Sequence, residues 1–152
     1  MQIDVSGATK KKHNVIQKFV ALCGEQLMSK RLCNSLLIDV ECIYNLRNKE
    51  GHCGTAMYED TDFYPKEFSI TIDTSLCDKD LFTTIAHEMV HIMQYATNKM
   101  RQLSRVEAYR YNGTRYALDT DYWERPWEIE AYEKEEELAK NALWNLLETD
   151  YG

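Results

Sequence analysis

Leu81, Phe82, Ile85, Ala86, Met89, Val90 and Met93 recur at helical spacing, and His87-Glu88-Met89-Val90-His91 falls in the middle of that run. Four residues of α-helix advance about 400°, so the two imidazoles project about 40° apart and one turn along the axis. The helix must therefore bury its apolar side while turning both histidines toward one place. Asp78 stands ahead of the run as an N-cap, which predicts a helix from roughly Lys79 to Thr97. A shuffled chain of this composition would contain about 0.008 H-E-x-x-H matches, so chance explains the pattern poorly.

The rest of the chain is arranged around this helix. Val15, Ile16, Phe19, Val20, Cys23, Leu27 and Met28 predict an amphipathic helix from about Ala8 to Leu32. Ser35 to Tyr44, Gly51 to Glu59 and Phe68 to Asp73 read as strands. Arg105 to Tyr111 and Thr114 to Leu118 flank Asn112-Gly113, a pair suited to the positive φ angles of a type I′ hairpin turn. Pro126 suits a first helical turn, and Trp127, Ala131, Leu138, Leu143, Trp144 and Leu147 extend a last helix to about Glu148. The expected order is α-βββ-α-ββ-α in a single domain over residues 1–152. Its class is α+β: a three-stranded sheet packed on the N-terminal and histidine-bearing helices, then a β-hairpin and a C-terminal helix. A chain of 152 residues that is 44% hydrophobic builds such a core without disulfides.

Charge and cysteine usage narrow the setting. The net charge is −7 and the basic run Lys10 to Lys12 reads as a solvated helix start, so no nucleic-acid partner is expected. No apolar run approaches membrane-spanning or secretory length, so no membrane association is expected. Cys23, Cys33, Cys42, Cys53 and Cys77 are odd in number and form no CxxC pair, and so read as small buried hydrophobes in a reducing, intracellular compartment. The sequence specifies no oligomeric state.

Two imidazoles one helical turn apart suit a zinc ion, which takes three protein ligands in a catalytic site and leaves one position open. Glu88 is rotated about 100° from His87 and is placed to serve as general base. No His or Cys follows His91, so a downstream third ligand has to be a carboxylate. Glu128 is favoured because the small Ala131 three residues on leaves room for the histidine helix. Glu130, about 200° round the same helix, is the alternative. Most of Glu133 to Glu137 reads as a solvated face.

At these residues the chain resembles the zincin metallopeptidases, and the gluzincin type in particular, in which HExxH is followed by a Glu on a later helix. Glu128-Ile129-Glu130-Ala131 is similar to the E-x-E-A stretch of the HtpX-type and ImmA/IrrE-type peptidases, with Tyr132 standing where those families usually carry Asp or Asn. Gly54 to Tyr58, Ser69 to Ile72 and Thr84 to His91 resemble the strand, strand and helix of SprT-like domains, without their third His or DNA-binding parts. The whole looks like a minimal, stand-alone zincin of the kind also found in phage and viral genomes. The resemblance implies a zincin-like fold and one Zn2+ held by His87, His91 and Glu128. It also implies hydrolysis of a peptide or protein substrate, and pairing of that substrate with an exposed strand at His52 to Tyr58.

Tyr132, Tyr116 and Tyr95 are candidate donors to the oxyanion. His52 reads as a solvated residue, with an approach to the metal or substrate as the other reading. Tyr109, Tyr111, Tyr116, Tyr122, Trp123 and Trp127 either pack the hairpin on the last helix or wall the cleft. Two competing functions stay open: a zinc-binding regulatory or interaction protein without turnover, and metal-dependent hydrolysis of a non-peptide substrate.

Overall fold

A computed structural model describes residues 1–60 and 63–151. The protein is mixed α+β, with a four-stranded sheet ordered β1-β2-β4-β3 and a three-stranded antiparallel sheet ordered β5-β6-β7. The strands are β1 (Gln2–Ser6), β2 (Leu37–Ile43), β3 (Gly54–Tyr58), β4 (Glu67–Asp73), β5 (Met100–Leu103), β6 (Ala108–Tyr111) and β7 (Thr114–Ala117). The α-helices are α1 (Lys10–Leu27), α2 (Lys30–Asn34), α3 (Leu46–Glu50), α4 (Asp78–Ala96) and α5 (Pro126–Tyr151). None of these helices is long and apolar enough to cross a membrane.

The first sheet therefore has four strands, not three. β1 pairs in parallel with β2 across more than thirty residues of sequence, and its short QIDVS segment buries only Ile3. A strand defined by so distant a partner carries little local signal. β2 is likewise parallel to β4, and β3 runs antiparallel along the free side of β4 as an edge. Ile38, Val40, Phe68, Ile70 and Ile72 point into the core beneath α1 and α4, with Phe19, Ile85 and Met89 opposite them. Truncating one such fully buried Ile or Phe to Ala costs about 2–5 kcal/mol.

Several boundaries differ from the periodicity. The expected long first helix breaks at Met28, whose backbone is extended, and Ser29 starts α2 by accepting the Leu32 N–H at 3.2 Å. Asp78 is the first helical residue of α4 rather than its cap, which is Cys77. With Asp80, Asp78 places negative charge in the first turn, where the helix dipole favours it. The unforeseen α3 is organised from outside by the fully buried Asp73, which accepts from the backbone N–H groups of Asn45 at 3.0 Å and Arg47 at 2.9 Å. Asn112 and Gly113 both have positive φ, as the hairpin turn requires, but the hairpin gains a third strand in β5. All five cysteines are free thiols; Cys23, Cys33 and Cys42 are buried, whereas Cys77 is exposed.

Candidate metal centre

His87, Glu88 and His91 lie in the middle of α4, on the stretch enclosed between β3 and the start of α5. β3 comes close because it carries Gly54. A Cβ there would stand 3.0 Å from the Thr71 carbonyl oxygen and 3.1 Å from Thr84 on α4. From the other side α5 presents Glu128, Ala131, Tyr132 and Glu135 along one face, with Ala131 fully buried where the helices touch.

One ligand atom each from His87, His91 and Glu128 lies within 4.8 Å of the others, and all three residues are buried. Glu128 spans both imidazoles, with Oε1 2.6 Å from His91 Nε2 and Oε2 3.3 Å from His87 Nε2. These residues could hold a metal ion. The donors of a tetrahedral zinc with bonds of about 2.0–2.1 Å stand roughly 3.4 Å apart, and two imidazole nitrogens with one carboxylate are donors that zinc accepts. The spacing and the donor chemistry therefore both fit.

The outer nitrogens show how the inner ones are aimed. Gln94 Nε2 donates to the Trp127 carbonyl and to Glu130 Oε1, each at 2.9 Å. Its Oε1 must then accept from His91 Nδ1–H at 2.8 Å, which turns Nε2 toward the centre. His87 Nδ1 is held in the same way by Glu135 Oε2 at 2.7 Å. Such partners fix the tautomer and orientation of a ligating histidine. Neither was expected from the sequence. Glu135 lies in the run Glu133 to Glu137, most of which reads as a solvated face, but its position seven residues after Glu128 places it on the same side of α5. Gln94, three residues after His91, lies along the same stripe of α4.

The charges in the centre are strongly coupled. Burial disfavours charge on His87 and His91, yet Glu128 opposite both, and Glu135 beside His87, raise their affinity for a proton. Burial would also raise the Glu128 carboxyl, but its bonds to the two histidines hold it well below the usual range. Glu88 is pushed upward by burial, against the pull of His91 and His87. That raises its proton affinity.

Glu130 faces elsewhere. It is bound by Lys99, by Lys134 at 3.0 Å, by Gln94 and by the Tyr111 hydroxyl at 2.9 Å, and so supports Gln94 rather than joining the ligand cluster. No family model, curated protein or solved structure matches this chain.

Two clefts meet at Glu88. One, of about 590 Å³, runs past Arg47, Asp80, Thr84 and Glu135; the other, of about 570 Å³, runs along β3 past Met57, Tyr95, Tyr109, Arg125 and Trp127. His52, Gly54, His87, Glu88 and Tyr122 line both. His52 is exposed and stands on the cleft wall, outside the ligand cluster.

The candidate tyrosines separate. Tyr132 sets its ring against His87, 4.6 Å between centroids, and Tyr95 lines the β3 cleft and packs on Tyr58. Tyr116 packs on Trp127 with Tyr109 and Tyr111. The aromatic set thus divides, with Tyr109, Tyr111 and Tyr116 seating the hairpin on α5 while Tyr122 and Trp123 gather at Tyr132. Tyr122, from the 3₁₀ turn Tyr122–Glu124, takes the cleft-wall place that the aromatic set allows, although it is not among the tyrosines expected as oxyanion donors. It meets the Tyr132 hydroxyl at 3.0 Å, and burial, with Glu128 beside it, raises its proton affinity.

Proposed function

We propose that this protein is a zinc-dependent metallopeptidase of minimal zincin-like, gluzincin-type architecture. The observation that carries the reading is the convergence of His87, His91 and Glu128 beside the buried Glu88, at the junction of two clefts. His87 and His91 supply Nε2 lone pairs and Glu128 a carboxylate. A zinc ion held by these residues would supply a Lewis acid for the substrate carbonyl and lower the pKa of water toward neutrality.

Glu88 takes the proton from the attacking water and passes it to the leaving amine. Its place at the meeting of the clefts gives it access to a chain that enters one and leaves by the other. Tyr122 is the hydroxyl best placed to donate to the oxygen on which charge develops. β3 exposes one free edge alongside this path, so backbone pairing there orients the substrate with little dependence on its side chains.

The test is Glu88→Gln. Metal content by elemental analysis should match the unaltered protein, and hydrolysis of a mixed peptide library should fall at least about 10²-fold. Undiminished hydrolysis would sink the assignment, and a metal-loaded protein that cleaves no peptide in either form would favour a regulatory role.

A further inference from the structure

Apart from its histidines, the β3-side cleft is lined by one basic residue, Arg125, which has no acidic partner among the described residues. Its Nε donates to the Thr120 carbonyl at 3.0 Å, and its guanidinium carbon lies 5.7 Å from the ring centre of Tyr122 and 6.0 Å from that of Tyr109. One of five N–H donors is used, and the two rings hold the fork in place.

A half-buried guanidinium gives up hydration without recovering it from a counter-charge, and the planar fork matches a carboxylate in bidentate fashion. The two clefts differ on this point. On the far side of Glu88, Asp80 and Glu135 line the wall, and Arg47 is 3.9 Å from Asp73. On the β3 side the only acids are Glu88 and Glu128 of the centre itself. In a chain of net charge −7, this is the part of the cleft suited to an anion.

We propose that Arg125 binds a carboxylate of the peptide substrate in the β3-side cleft. The proposal rests on the peptidase reading and narrows its substrate class. The carboxylate has two sources with the same chemistry. If it is the chain terminus, the enzyme is a carboxypeptidase; if it is an Asp or Glu side chain, the enzyme is an endopeptidase selective for acidic residues.

The experiment is calorimetric titration of the full zinc-loaded chain carrying Glu88→Gln, so that no probe is consumed. The probes are N-acetylated tripeptides: one with a free C-terminal carboxylate, its amide, an amide containing Glu, and the same amide with Gln. At least one charged probe should bind tenfold or more tighter than its neutral counterpart, and the one that does identifies the source. Adding Arg125→Gln should erase that advantage, and Arg125→Lys should retain part of it. Equal binding of charged and neutral probes, no binding of any, or an advantage that survives Arg125→Gln overturns the proposal. If the Gln variant does not fold, the Lys variant and the charge dependence decide. Failure of the peptidase reading has a separate signature: charge-dependent binding through Arg125, with no cleavage of the same probes by the chain with Glu88 intact.

Discussion

Nδ1 of His87 lies 2.7 Å from a carboxylate oxygen of Glu135, a residue one helical turn beyond Tyr132 on the face of α5 that also carries Glu128. A single helix therefore supplies both a candidate ligand, Glu128, and the group that orients His87, another. Glu135→Ala should weaken zinc affinity by about 10–100-fold while leaving the fold intact. Chelator competition measures the affinity, and circular dichroism checks the fold; an unchanged affinity would reduce the contact to a surface ion pair.

The two glutamates of the Glu128-Ile129-Glu130 stretch should separate cleanly. Glu128→Ala should abolish stoichiometric metal binding. Glu130→Ala should keep the ion yet lower stability by about 1–3 kcal/mol, because the Gln94 amide and Tyr111 hydroxyl lose a buried acceptor. Elemental analysis and urea unfolding, run on both variants, distinguish these effects. Metal loss in the Glu130 variant with full retention in the Glu128 variant would reverse the assignment.

Asp73, outside the ligand cluster, gives a separate pH dependence. Burial would raise its pKa, but the hydroxyl and N–H of Ser75 and the N–H groups of Arg47 and Asn45 hold it down to about 2. The carboxylate form is thus favoured by folding. Its contribution is present in full above the unfolded value of about 4 and is lost as pH falls toward 2. Unfolding midpoints measured between pH 6 and 2 should show wild type losing its margin over Asp73→Asn across that window. A constant difference between the two curves would refute the linkage.

If Tyr122 donates to the oxyanion as proposed, Tyr122→Phe should lower kcat by about 10–100-fold with little change in KM, since Tyr122 lines both clefts at Glu88 and stands outside the apolar hairpin seat. Tyr116→Phe, in the Trp127 cluster, should leave kcat unchanged. Equal effects from the two substitutions would remove Tyr122 from the mechanism.

The parts legible in the sequence are those coded by short-range pattern. α4 announces itself by its apolar period, α5 by Pro126 and the stripe after it, and the β6–β7 turn by Asn112-Gly113. β1 and β5 are short strands whose partners decide them, and α3 owes its start to Asp73 on another strand. In the site, the spacing of His87 and His91 was readable, as was the preference for Glu128 over Glu130 as the group facing them. Glu135 was hidden inside an acidic run, where composition suggests solvent and only the helical phase of Glu128 singles it out. Gln94 was hidden, and Tyr122 was legible only as one of several aromatics, because an amide or a hydroxyl carries no spacing signature; each gains its place from where α5 and the turn before it come to rest.

Glu128 reaches its histidines across a long stretch of chain, 41 residues from His87, and that stretch contains the whole β5–β7 sheet. Coordination at this point would tie off the intervening loop as a reversible staple. Closing a loop of that size restricts the unfolded chain by an amount on the order of 3–4 kcal/mol. Chelation should then loosen one part of the molecule more than the other. Amide exchange should quicken across β5 to β7 and the first turns of α5, while the strands of the larger sheet keep their protection.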